Sequence, residues 1–138
     1  MYLVDTNVLS EARRRDGPAR DWLRSVNPAD LYLSVVTLGE IMKGIALKQR
    51  ADPTMASGLR VWLELLRRDH TDHILPVDDR VALEWGRIAA IRSRGMADGL
   101  IAATAAVHDK IVVTRNIADF ADTGVPIIDP WAMPGPSR

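Results

Sequence analysis

Apolar residues run unbroken from Met1 to Val4 and stop at Asp5. A short run of this kind predicts a buried strand. Thr6-Asn7 then offers a cap, and Val8, Leu9 and Ala12 recur at helical spacing. Gly17-Pro18 breaks that helix, and Ala19 to Val26 reads as a second, with Trp22, Leu23 and Val26 on one face. Asn27-Pro28-Ala29-Asp30 is a turn by composition. Leu31 to Val36 is apolar and β-branched and predicts a second strand. Thr37 and Glu40 have capping-box spacing, and Ile41, Ile45 and Leu47 carry a helix to about Arg50. Asp52-Pro53 opens another, whose stripe of Leu59, Trp62, Leu63 and Leu66 ends near His70.

Ile74 to Val77 predicts a third strand. Asp78-Asp79 caps a helix with Val81, Leu83, Trp85, Ile88 and Ile91 on its buried face, ended by Gly95. Met96 to His108 is alanine-rich and apolar almost all round, which predicts a central helix. Ile111 to Thr114 and Val125 to Ile128 complete the strands. Helices alternating with strands predict an α/β fold: about five strands, mainly parallel, with helices on both faces of the sheet. The chain reads as a single domain over residues 1–131, followed by a flexible Pro/Gly-containing tail over 132–138.

At 138 residues the chain is long enough for one domain with its own core. Lys+Arg and Asp+Glu are both 18, so the net charge is zero. That excludes a strongly basic nucleic-acid coat and an acidic solvating tail, but not a local basic face. Cysteine is absent, which excludes disulfides, thiolate metal sites and a cysteine nucleophile. The N-terminus does not read as a signal peptide, and no apolar run reaches the roughly 18 residues of a membrane span. A cytoplasmic protein with no membrane association is the expectation.

In open parallel sheets, ligands bind beyond the C-terminal ends of the strands. Acids gather there in this sequence. Asp5 follows the first strand, Glu40 lies in the helix after the second, Asp98 opens the alanine-rich helix, and Asn116 and Asp119 follow the fourth strand. With no Cys or His among them, an all-oxygen site would suit Mg²⁺ or Mn²⁺ rather than zinc. Clustered carboxylates repel, and a divalent cation relieves the repulsion while binding phosphate oxygens and activating water. Each acid also has a purely structural reading. Asp5 can cap the next helix, Glu40 can serve the Thr37 capping box, Asp98 can be a first-turn acid, and Asp119 can be a turn residue.

The motifs resemble those of one family. Leu3-Val4-Asp5-Thr6-Asn7-Val8-Leu9-Ser10 looks like the opening of a PIN-domain nuclease. Ser34-Val35-Val36-Thr37-Leu38-Gly39-Glu40-Ile41, Ala97-Asp98-Gly99-Leu100-Ile101-Ala102-Ala103-Thr104-Ala105 and Thr114-Arg115-Asn116-Ile117-Ala118-Asp119-Phe120 resemble its later motifs in order. Ile128-Asp129-Pro130-Trp131 is similar to the end of FitB-like members among the VapC toxins. The resemblance implies a PIN-like domain acting as a Mg²⁺-dependent endoribonuclease, with Mn²⁺ as a substitute, and as the toxin of a type II toxin–antitoxin pair. It carries Asp5, Glu40 and Asp98 over as metal-binding acids. Many relatives place an acid where this chain has Asn116, which brings no charge, so Asn116 and Asp119 share the fourth position. Thr6 and Thr114 are the candidates to hydrogen-bond the carboxylates. The implied partners are RNA as substrate, a cognate antitoxin, operator DNA only through that antitoxin, and a second copy in a homodimer.

The basic residues divide. Arg13-Arg14-Arg15 with Arg20 and Arg24 reads first as a solvated face, while Lys43, one turn after Glu40, is a candidate RNA contact. Trp22, Trp62 and Trp85 fall on apolar faces and read as core or interface. His70, His73 and His108 have no ligand spacing and read as non-catalytic. The apolar stripe of the Pro53–His70 helix suits core or a partner groove equally. Competing classes are weaker. Asp5-Thr6-Asn7 lacks the second Asp two residues on that aspartyl-phosphate enzymes use, and the paired acids of a receiver domain are missing. A PIN-like module that binds without catalysis is the remaining alternative, and Asn116 is its support.

Overall fold

The computed structural model describes residues 1–133. Strand β1 (Tyr2–Val4) leads into helices α1 (Thr6–Arg14) and α2 (Pro18–Ser25). A single 3₁₀ turn at Pro28–Asp30 precedes β2 (Leu31–Ser34), followed by α3 (Val35–Ala51) and α4 (Pro53–Asp69). A second 3₁₀ turn, Thr71–His73, opens β3 (Ile74–Leu75), and then come α5 (Asp79–Ala89) and α6 (Met96–His108). β4 (Ile111–Val113), the one-turn helix α7 (Ile117–Phe120) and β5 (Ile127–Ile128) complete the described chain. The strands form one parallel sheet in the order β3-β2-β1-β4-β5.

Side chains alternate across the sheet, as the strand period of two requires. Leu3 and Val112 face α5 and α6 in a core with Val81, Ile88, Ile101 and Phe120. Val4, Val113, Leu31 and Leu33 face the other way, against Val8, Leu9, Ala19 and Trp22 of α1 and α2. A smaller cluster of Ile41, Ile45, Ala56 and Leu63 joins α3 to α4. Helix α6 is central because small residues let it approach closely: Ala102, Ala103 and Ala105 are fully buried. A Cβ on Gly99 would stand 3.0 Å from the Trp85 ring, so glycine is what permits that contact between α5 and α6.

The α/β class, strand count and parallel pairing are as the sequence pattern predicts, but several boundaries differ. β2 stops at Ser34 because its hydroxyl accepts the Val36 N–H and caps α3. Thr37 is therefore inside the helix and forms no capping box with Glu40, which falls in the second turn. β3 and β5 are shorter than expected, at Ile74–Leu75 and Ile127–Ile128. Helix α5 ends at Ala89, and Gly95 is the residue before α6. Leu83 and Ile91 are exposed; only Val81 and Ile88 of that stripe are fully buried. Helix α7 is not visible in the apolar pattern. Asp52 and Asp78 do cap α4 and α5, accepting the N–H groups of Met55 and Val81. Of the tail expected over 132–138, residues 134–138 lie outside the described residues.

Candidate active site

Register brings the first site residues together. Val4 pairs with Val113, and the Asp5 N–H donates to the Val113 carbonyl at 2.9 Å, so the residues that follow β1 and β4 lie side by side. Asp5 is nearly fully buried at this edge. Its Oδ1 accepts the Thr6 N–H at 2.7 Å, which makes it the cap of α1. Its Oδ2 accepts the Thr114 hydroxyl at 2.8 Å and the Asn7 amide at 3.3 Å. Capping thus uses one carboxylate oxygen and the Thr114–Asn7 pair holds the other.

Thr114 organises this edge. Its hydroxyl, fully buried, also accepts the Asn116 N–H at 3.0 Å and the Asn7 amide at 3.3 Å. Asn7 in turn accepts the Arg115 N–H at 3.3 Å. Replacing Thr114 by Val keeps the shape but removes a donor from the Asp5 carboxylate and an acceptor from two N–H groups. The expected cost is about 1–3 kcal/mol, read as a lower urea midpoint. A midpoint equal to wild type would show that water replaces the hydroxyl without loss.

Glu40 reaches the same edge from α3. Its Oε1 accepts the Thr6 hydroxyl at 2.6 Å, and that hydroxyl stands 3.1 Å from the Thr37 hydroxyl. Thr6 therefore links Asp5, through its N–H, to Glu40, through its side chain. Asp98 stands in the first turn of α6 and Asp119 in α7. Burial pushes the Asp98 carboxyl up to about 6, with the charges of Asp5, Asp119 and Glu40 and a hydrogen bond with Asp119 adding to it. Burial also raises Asp5 above the ordinary carboxylate value, against the lowering pull of Thr114 and Thr6, and Glu40 and Asp119 raise it further. Glu40 and Asp119 thus bear on the charges of both Asp5 and Asp98.

Among the described residues none of the four is in an ion pair. Nor do any three His, Asp or Glu side chains there enclose a ready-made ion cage. The acids share one electrostatic environment without closing on a point. Asn116 is exposed, and its backbone rather than its amide joins the network.

A groove of about 640 Å³ opens beside this edge. Of the four acids Glu40 alone lines it, beside Thr6 and Asn7; Arg13, Arg14, Lys48 and Arg115 line its walls together with Glu11. Met55, Leu59, Trp62 and Trp131 supply apolar lining. The Arg13 guanidinium lies 5.6 Å from the Trp62 ring centre and that of Arg115 4.6 Å from Trp131. Two members of the Arg13–Arg15 run thus border the groove, while Arg14 and Arg15 also pair with Glu11. From α3 the groove takes Gly44 and Lys48; Lys43 is exposed and outside its lining. The apolar stripe of α4 is split: Leu63 is core, and Leu59 and Trp62 face the groove as well as the helix pair. The groove is not readable from spacing, because its walls come from α1, α3, α4 and the segments after β4 and β5.

The PIN domain family profile matches residues 2–125. Toxin FitB of Neisseria gonorrhoeae is 34% identical over 138 residues, spanning 95% of this chain and 99% of that one. VapC ribonuclease Y4jK of Sinorhizobium fredii is 31% identical, spanning 95% and 98%. Ribonuclease VapC10 of Mycobacterium tuberculosis is 31% identical, spanning 98% and 96%. Among solved structures, FitAcB from Neisseria gonorrhoeae superposes with a TM-score of 0.87 at 34% identity, covering 96% of this chain and 100% of that one. FitAB bound to an IR36 DNA fragment gives 0.86 at 32% identity, covering 98% and 99%. Fold, motif order and near full-length similarity agree, and this chain belongs to the PIN domain family, with relatives named FitB and VapC.

Proposed function

We propose that the chain is a divalent-metal-dependent endoribonuclease, with Mg²⁺ as its ion and Mn²⁺ as a substitute, and the toxin of a type II toxin–antitoxin pair. The observation that carries this reading is the gathering of Asp5, Glu40, Asp98 and Asp119 near one sheet edge without cationic partners, where burial and the neighbouring acids raise the Asp5 and Asp98 carboxyls. An all-oxygen, strongly anionic donor set suits a hard cation. Asp5 and Asp98 are the principal ligands, with Glu40 beside them and Asn116 and Asp119 completing the set. When bound, the ion supplies positive charge for phosphate oxygens and acidifies a water molecule.

The chain's own groups do the positioning. Thr114 and the Thr6 N–H fix both oxygens of Asp5. The Thr6 hydroxyl holds Glu40 by one oxygen, and among the described residues the other has no hydrogen-bond partner and is free to orient a water or accept its proton. Arg13, Arg14, Lys48 and Arg115 lie where an RNA backbone entering the groove would need cations. The apolar and aromatic lining of the same groove suits a peptide segment, and we assign it to a cognate antitoxin. Operator DNA is bound only through that antitoxin, and the chain pairs with a second copy. No helix among the described residues is long and apolar enough to cross a membrane.

The test is cleavage of a structured RNA pool by purified chain in Mg²⁺, Mn²⁺ or EDTA. Cleavage is expected with either metal. EDTA should lower its rate at least ~100-fold, equivalent to roughly 3 kcal/mol of barrier. Equal cleavage in EDTA would contradict the metal dependence. Tight Mn²⁺ binding without any cleavage would favour a binding module instead.

A further inference from the structure

Helix α7 has four residues, Ile117–Phe120, and carries Asp119. A single turn does not hold itself, because it fixes more chain than its few internal hydrogen bonds offset. Its last carbonyls also lack partners within the helix. Here three successive carbonyls are taken by side chains from outside. The Ala118 carbonyl accepts Arg92 Nη2 at 2.6 Å, the Asp119 carbonyl accepts Arg94 Nη1 at 2.7 Å, and the Phe120 carbonyl accepts the Thr123 hydroxyl at 2.7 Å.

Both arginines belong to the linker between α5 and α6, immediately before the helix that carries Asp98. Asp122 ties them together: Oδ2 accepts Arg92 Nε at 2.6 Å and Oδ1 accepts Arg94 Nη1 at 2.8 Å. The Arg94 side chain is 2% exposed and that of Arg92 41%, so the cluster has a buried half and an outer half. Arg94 Nε and Nη2 are buried without a hydrogen-bond partner. Burying a guanidinium this way costs free energy that an apolar side chain in its place would not. Its return is geometric: one nitrogen joins the α6 leader to the turn that bears Asp119.

We propose that Arg94, with Arg92 and Asp122, is a positioning latch that holds Asp119 against Asp98 and so sets the affinity of the acidic site for its divalent ion. The latch touches neither the ion nor RNA. The inference rests on the metal-nuclease reading above.

The test is calorimetric titration of the full chain with Mn²⁺, for wild type, Asp122→Asn, Asp122→Glu and Arg92→Gln, with thermal midpoints recorded in EDTA. Asp122→Asn should weaken Mn²⁺ binding about 10-fold or more, the usual loss when a group supporting a metal ligand is removed. Asp122→Glu should recover most of it. Arg92→Gln removes only the exposed arm and should cost a few-fold, and it decides the matter should Asp122→Asn fail to fold. A purely structural latch would lower the midpoints and leave Mn²⁺ affinity unchanged. Wild-type affinity in both Asp122→Asn and Arg92→Gln overturns the latch and leaves the nuclease reading standing. No Mn²⁺ binding by wild type overturns both.

Discussion

Replacing Asp98 by Asn is expected to abolish RNA cleavage and, in EDTA, to make the protein more stable. The exchange keeps the shape and removes one charge from a set of four mutually repelling acids. Cleavage should fall at least ~100-fold, because a ligand and its charge are lost together. The stability change follows from proton linkage. In the folded chain the Asp98 carboxyl is pushed up to about 6, from an ordinary value of 3.8. The folded state therefore holds the extra proton between those values, and stability without metal falls as pH rises from about 4 to about 6. Above that window the penalty is fully present. Allowing for the partial exposure of the group, it amounts to about 1 kcal/mol. Asn does not pay it, so the variant should melt a few degrees higher, roughly 2–5 °C, at neutral pH in EDTA. Below about pH 4 the two proteins should converge. With saturating Mn²⁺ the order should reverse, since only wild type gains from binding. A variant less stable than wild type in EDTA would make Asp98 a structural first-turn acid.

Replacing Phe120 by Ala is expected to cost about 3–5 kcal/mol, the range for truncating a buried aromatic side chain. Phe120 is fully buried against the core that also contains Leu3, Ile101 and Val112. It is the one fully buried residue of α7, whose other residues are partly or largely exposed. The loss is a large fraction of the roughly 5–15 kcal/mol that stabilises a typical domain. Urea denaturation measures it directly. The truncation also removes the apolar anchor beneath Asp119, so cleavage should decline at temperatures where the variant is still folded. A cost below about 1 kcal/mol would mean that the core closes over the gap.

The acids were legible because each follows a strand or opens a helix at the C-terminal edge of a parallel sheet. Asp5 illustrates how two readings can both hold: it caps α1 with one oxygen and presents the other to Thr114 and Asn7. Glu40 illustrates the opposite case. Its spacing from Thr37 fits a capping box, yet Ser34 is the cap and Glu40 is bonded to Thr6, 34 positions away. Local spacing cannot choose between Ser34 and Thr37, since Val35 and Val36 suit a strand end as well as a first helical turn. Periodicity places Leu83 and Ile91 on the buried stripe with Val81 and Ile88, yet both are exposed, because a period marks a face and not its depth. Helix α7 left no period to read, and the residues that hold it, Arg92, Arg94 and Asp122, look like ordinary surface charges in the sequence. Their only signal is position, flanking the leader of the Asp98 helix and the turn after Asp119.

The central claim is that these acids form one divalent-metal site. Mn²⁺ titration of wild type and Asp98→Asn at pH 7.5, about 1.5 units above the Asp98 value, tests it most directly. The account predicts saturable binding to wild type and at least ~100-fold weaker binding to Asp98→Asn, a difference of roughly 3 kcal/mol. Equal binding by the two proteins, or none by either, would contradict it.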